Sequence, residues 1–288
     1  MIRPNSQKIE VAKPQISPYG ILSPAVKVVN VDSDWWLGGA IHEIYDAGIS
    51  YSVVADQGFD PGDIIREMVN PELGEARFAH VVPVTIETRL NVSTMGTDLS
   101  ELQRMAEDAM DLVSQKAIEE AFWKYLGSKF RSLPNTTDGG DDEVIRTTLV
   151  PGTVLSPRNA QAVLEGAVAE KTVGYQATLH FPRLATSNLE VHDEDEALKT
   201  VLGSYVIAGS GYGNTDQDGN TIAPEGNRVA YATGPVTVLL GSTVVLPDTN
   251  QRVNTNNNVA EIFVQKPALI AFSTKDVFSV LVDTAQVF

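Results

Sequence analysis

NTDQDGNTIAPE, residues 214–225, has the spacing of a calcium loop. Asn214, Asp216 and Asp218 offer side-chain oxygens at positions 1, 3 and 5, with Gly219 at 6 and Glu225 at 12. Such a loop needs flanking helices. Here GSGYG precedes it and NRVAYATG, which reads as a strand, follows, while Pro224 sits just before the would-be bidentate ligand. A polar hairpin accounts for the same residues, because Asp, Asn and Gly are what turns favour. GSGYG, residues 209–213, has the glycine density of a phosphate loop. It lacks both the Lys-Ser/Thr of a P-loop and GxGxxG spacing, so its glycines are read as serving a bend or a close backbone approach. HDEDE, residues 192–196, imitates a metal cluster but reads more simply as the acidic first turn of a short helix, EDEALKTVLG. Nucleophile signals are missing, with no cysteine and no GxSxG. His42, His80, His180 and His192 fall in no HExxH pattern. A carboxylate pair for glycoside chemistry would be recognised only by its separation in the fold. The expectation is therefore no catalytic, cofactor-binding or metal-ligating residue, with a calcium-dependent module or hydrolase as the outlying alternative.

The 288 residues, 43% hydrophobic and 20% charged, suit one large domain or two lobes sharing a core. Zero cysteines exclude a disulfide framework and Cys-ligated zinc or iron–sulfur centres. No window reaches the ~18 apolar residues of a membrane span, and the first residues lack an apolar signal core. A soluble cytosolic chain without a signal peptide is expected. The net charge of −16 is uneven. Arg3, Lys8, Lys13 and Lys27 against Glu10 give residues 1–31 a charge of +3, leaving −19 on the remainder. An acidic body does not hold nucleic acid by its phosphates. It suits solubility, or a surface that lies beside nucleic acid without sticking.

The elements that position these residues begin with a Pro-punctuated stretch, residues 1–34, which reads as an extended arm. Strand-like segments follow, IHEIYDAGISYSVVAD and FAHVVPVTIETRLNV, with a short helix DPGDIIREMVN between them. Next comes one long helix. Asp98 caps it with Glu101 at the capping-box position, and Gly127 ends it. Leu99, Leu102, Ala106, Ala109, Val113, Ala117 and Ala121 form its apolar stripe. FWKY at its end and Trp35–Trp36 are aromatic clusters for a core or an interface. After the linker LPNTTDGGDDE, Ser156–Pro157 starts a second helix running to about Lys171. GYQATLHFP, SYVIAG, NRVAYATG, PVTVLLGSTVVLP, NVAEIFVQ, KPALIAFST and KDVFSVLVD read as strands. The class is α+β, one long helix with a mostly antiparallel sheet.

The order of these parts resembles the major capsid proteins of tailed phages, the Hong Kong 97 capsid fold, and is most similar to those of actinobacterial phages. The resemblance rests on SPYGILS in the arm, QKAIEEAFW at the end of the long helix, GYQATLHFPR after the next helix, and VIAGSGYGN with VAYATGPVTV near the end. It implies an N-terminal arm, residues 1–34, and a peripheral domain starting at 35–95 with an extended loop at about 50–84. It implies that 96–150 continue that domain with a spine helix at 98–126, that 151–260 form an axial domain, and that 261–288 return as strands to the peripheral domain. The implied function is a structural subunit, not an enzyme. Pentamers and hexamers would close into an icosahedral shell around double-stranded DNA, in the virion, after assembly in the bacterial host cytoplasm. A separate scaffolding protein and a portal would be partners, and packaged DNA would lie nearby without sequence-specific binding. Contacts between subunits fall, on this resemblance, to Arg3, Lys8 and Lys13 of the arm and Arg66, Glu67 and Arg77 of the loop. An encapsulin-like cargo shell, which shares the fold, is the nearest alternative.

Overall fold

The computed structural model describes residues 15–31, 80–93, 99–129, 146–171, 176–216, 219–246, 253–254, 259–272 and 277–284. Arg3, Lys8, Lys13, Arg66, Glu67, Arg77, Trp35, Trp36, Asp98, Asp218 and nearly all of the expected extended loop lie outside them.

Two sheets and two helices organise these residues. β2 (His80–Ser93) and β13 (Val259–Phe272) are 14-residue strands paired antiparallel along their whole length, from His80↔Phe272 to Ser93↔Val259. At ~3.4 Å per residue the ribbon is about 47 Å long. The helix α1 (Leu99–Lys129) packs on both strands and, with 31 residues, spans about 46 Å. The match explains the length of the helix: it covers a ribbon of its own length. The helix also runs through Gly127 to Lys129, past the expected cap.

On the other side of β13 lie β1 (Lys27–Val31), β10 (Val236–Gly241), β11 (Val244–Leu246) and β12 (Val253–Asn254), with β1 parallel to β10 and the rest antiparallel to β13. NVAEIFVQ and KPALIAFST, expected as two strands, are one. Pro267 lies inside it, opposite the connection between β10, which pairs with 268–272, and β11, which pairs with 263–265, while β2 sets Thr85 beside it on the other edge. Gly241 is the counterpart: a Cβ there would lie 2.5 Å from Pro267 Cγ.

The second sheet has the order β3-β14-β9-β5-β8-β7-β6. Its strands are β3 (Arg146–Thr148), β14 (Val277–Asp283), β9 (Asn227–Thr233), β5 (Thr178–Pro182), β8 (Tyr205–Gly209), β7 (Ala197–Thr200) and β6 (Val191–Glu194), and β4 (Val154–Leu155) also pairs with β14. Its central strands are covered on both faces, which is why they read as continuous apolar runs. Ala230 and Ala232 of β9 meet the helix α2 (Pro157–Lys171) through Ala160, Leu164 and Val168, whereas Val229 and Tyr231 face the core built on α1. The expected cap of α2 is present, with Ala160 N–H donating to Ser156 O at 2.9 Å and Asn159 N–H to Ser156 Oγ at 3.4 Å.

Three expectations are corrected. EDEALKTVLG is not a helix. β6 and β7 pair from Val191↔Thr200 to Glu194↔Ala197 through a turn in which Asp195 (φ 54) and Glu196 (φ 62) both take left-handed conformations, the geometry of a tight hairpin. Residues 15–31 are not a free arm, since Ile21, Val26 and Val31 are buried in this chain's own core. The strand pairing gives each sheet strands from both sides of residue 260. β10 and β11 belong with β2 and β13, while β14 joins the second sheet. The buried face of α1 follows the expected stripe only in part, through Ala106 and the half-buried Ala117. It carries Ala106, Met110, Ile118, Phe122, Trp123 and Leu126, while Val113 is 41% exposed. The residues 106, 110, 114, 118, 122 and 126 recur in steps of four, which drift about 40° per step on a helix of 3.6 residues per turn, so the buried face winds around α1 from the ribbon towards the second sheet.

Candidate functional site

The segments that carried the resemblance meet at one buried polar node, although they are spread over residues 17–238. Its centre is Glu119, on the winding face of α1, with no exposed surface. Glu119 Oε1 accepts from Ile21 N–H of SPYGILS at 3.1 Å. Glu119 Oε2 accepts from Gly211 N–H at 2.8 Å and Ser210 O–H at 3.1 Å, both of VIAGSGYGN. Burial pushes the Glu119 carboxyl up, and the bonds from Gly211, Ile21 and Ser210 pull it back in part. One helix turn earlier, Gln115 Nε2 donates to Ser17 O at 2.9 Å.

Of the three glycines of GSGYG, Gly211 serves a close backbone approach, one of the two roles expected for them. A Cβ on Gly211 would sit 2.5 Å from Lys116 O and 2.9 Å from Glu120 N, so the loop lies directly on the backbone of α1. A Cβ on Gly20 would sit 2.5 Å from Glu119 Oε1. The segment 17–20 is held from its other side as well. Ala208 N–H donates to Tyr19 O at 2.8 Å, Arg183 of GYQATLHFPR donates to Ser17 Oγ and to Pro18 O, and Tyr19 O–H donates to Asp193 Oδ2 at 2.7 Å.

An aromatic and imidazole layer continues the node. Trp123 stacks on Tyr212 at 4.2 Å between ring centroids, meets Tyr231 edge-on at 4.6 Å, and donates its indole N–H to Gly213 O at 2.8 Å. His180 is fully buried between Tyr212 O–H (3.1 Å from Nδ1) and Thr233 Oγ1 (2.9 Å from Nε2). Thr233 Oγ1 donates its own proton to Gly234 O, so it must accept from His180 Nε2–H, which leaves Nδ1 as the acceptor of the Tyr212 proton. A second proton on Nδ1 would displace the hydrogen that Tyr212 donates there. Burial lowers the His180 pKa to about 3, and the ring is neutral at ordinary pH.

A glutamate, a histidine, a tyrosine and a threonine in hydrogen-bonded proximity have the residue types of an acid–base site. Glu119 and His180 nevertheless expose no surface through which a substrate could reach them. Their polar atoms are engaged with the chain's own backbone and side chains, and the chemistry of the node is that of a lock.

In the loop with calcium-like spacing, Asn214 Nδ2 donates to Ala223 O at 2.7 Å, and its Oδ1 accepts from Ala223 N–H at 3.0 Å. Asp216 Oδ1 accepts from Asn220 N–H at 2.8 Å, and Thr215 bridges Thr221. These residues brace a polar hairpin. Of HDEDE, Asp193 holds Tyr19 and Glu194 pairs with Lys199 at 3.3 Å. Sequence reasoning assigned no role to Glu119 or His180; the available signal was a carboxylate on the same helical face as Phe122 and Trp123.

No family model matches the chain, and no curated protein matches it either. Solved structures do. The capsid of Ralstonia phage GP4 is 13% identical, with a TM-score of 0.49, covering 97% of this chain and 96% of that one. The capsid of an empty GTA particle is 12% identical, with a TM-score of 0.47, covering 99% and 92%. A Gordonia phage Cozz chain is 11% identical, with a TM-score of 0.47, covering 98% and 91%.

Proposed function

We propose that this chain is a major capsid protein. It is a structural subunit that assembles as pentamers and hexamers into an icosahedral shell around the double-stranded DNA of a tailed phage. The observation that carries the reading is the convergence of SPYGILS, QKAIEEAFW, GYQATLHFPR, VIAGSGYGN and VAYATGPVTV on Glu119, Trp123 and His180. Motifs recognised separately along the sequence form one junction that fixes the long helix to the second sheet. In this reading the α1-covered ribbon is the peripheral part and the α2-covered sheet the axial part. The reach to neighbouring subunits falls to residues 1–14 with Arg3, Lys8 and Lys13, and to the loop with Arg66, Glu67 and Arg77. The acidic charge of −16 keeps the wall from binding packaged DNA, while a separate scaffolding protein and the portal guide closure.

The full chain, expressed with and without its scaffolding partner, is examined by sedimentation velocity and negative-stain microscopy. Closed particles of uniform diameter are expected. A monodisperse monomer under both conditions contradicts the proposal.

A further inference from the structure

The turn between β7 and β8 inverts the usual chemistry of turns. Gly, Asn, Asp, Ser and Pro dominate such positions, yet here Val201 and Leu202 occupy the tip, 79% and 80% exposed. They are the most exposed large apolar residues among those described. The turn is also rigid from beneath. Thr200 N–H donates to Ser204 O at 2.9 Å and Gly203 N–H to Thr200 O at 3.0 Å, with Gly203 in the left-handed region (φ 91). Thr200, itself buried, donates its hydroxyl to Glu165 Oε1 of α2 at 2.5 Å and accepts from Ser204 N–H at 3.1 Å. Gln176 Nε2 donates to Gly203 O. Two apolar side chains are thus held out to solvent on a braced support, and little ordering entropy remains to be lost when they are covered.

We infer that Val201 and Leu202 form a self-contact, packing against the same region of a second copy of this chain. The inference rests on the shell reading and names the residues through which one part of the subunit meets its copies. Two observations choose that occupant. The first is area: two side chains fall far short of the ~800 Å² per partner that a stable pairwise complex takes. So small a patch suits a weak contact multiplied around a closed ring of copies. The second is charge. Residues 200–204 are uncharged on a chain of net −16, and the acidic turn Asp195–Glu196 stands at the other end of β7. An anionic bilayer or a nucleic acid would be repelled there, whereas copies of an acidic subunit can touch at an uncharged apolar tip.

The chain has no cysteine, so Leu202→Cys places a single thiol at the tip. In free subunits it should react with a maleimide at the rate of an open thiol. In assembled particles, labelling should slow at least tenfold, and mild oxidation should give covalent dimers that dilute subunits do not form. The double variant Val201→Ser/Leu202→Ser should melt as the parent does and need at least a tenfold higher concentration to form particles. Failure of the cysteine variant to assemble, with unchanged melting, counts the same way. Equal labelling in subunits and particles overturns the inference, and so does slow labelling in both, which would mean that the chain covers its own tip. Protection only by phosphatidylglycerol-containing vesicles overturns it in favour of a membrane. Particles that form with an accessible thiol at position 202 refute the self-contact alone, whereas a parent protein that forms no particles refutes the shell reading with it.

Discussion

The two ends of β8 make opposite use of polarity. At its N-terminal end an apolar pair, Val201–Leu202, stands in solvent. At its C-terminal end Ser210 and Gly211 hand polar hydrogens to a carboxylate sealed in the core. A monomer optimised for stability alone would reverse both choices. Buried polar contacts of this kind fix which segments meet, because any other pairing leaves donors and an acid unsatisfied in an apolar surrounding. An exposed apolar tip adds nothing to the subunit and gains only when another surface covers it. One end of the strand specifies the fold and the other is free to specify the assembly.

The comparison breaks most severely at the node. Trp123→Ala removes the ring that stacks on Tyr212 and orphans Gly213 O, and should cost about 3–5 kcal/mol in urea unfolding. Gly211→Ala pushes a methyl against the backbone of α1, which cannot yield as a side-chain end can, and should cost about 1–3 kcal/mol by the same measurement. Deletions sharpen the point. Removing residues 2–14 should leave the melting temperature within a few degrees and impair assembly, whereas extending the deletion to residue 26 strips Ile21 and Val26 from the core and should abolish cooperative unfolding. A deletion through 26 that melts like the parent would show that the segment belongs to the arm after all.

His180 gives the pH dependence. The unfolded chain binds a proton on this residue near 6.5, the folded chain only near 3. Acidification through that interval therefore favours the unfolded state, and stability present above about 6.5 is lost as the pH falls. Melting temperature should fall over this range by more in the parent than in His180→Gln, which keeps a donor and an acceptor but does not titrate. Equal slopes would mean that His180 is not what couples stability to pH. The smallest effect on the fold belongs to the tip, where Val201→Ser/Leu202→Ser should change unfolding by less than about 0.5 kcal/mol.

The sequence was informative where a local rule has one solution. Ser156–Pro157 starts α2, alternation gives β2, and the glycines of GSGYG signal a bend or a close approach without naming the surface approached. It misled where the tertiary partner decides. EDEALKTVLG has helix-forming residues, yet it is the second half of a hairpin whose turn places Asp195 and Glu196 at positive φ, where Asn-Gly would have signalled it. The alanines of α1 suggested a straight stripe, whereas the ribbon and the second sheet claim different faces of one helix. Residues 15–26 have no periodicity because they bury side chains one at a time from successive turns, a pattern that carries no repeat to detect. The node was invisible for the same reason, since the hydrogen bond that Ile21 N–H donates to Glu119 spans 98 residues of sequence and the one that Gly211 N–H donates spans 92.

Hydrogen–deuterium exchange on free subunits and on assembled particles tests the central claim, that this chain locks its own segments through Glu119 and keeps its β8 tip for its copies. Peptides containing Ile21 and Gly211 should be protected equally in both states, and a peptide spanning residues 200–204 should gain protection only on assembly. Fast exchange at Ile21 and Gly211 in the free subunit, or unchanged exchange at the tip when particles form, would contradict the account.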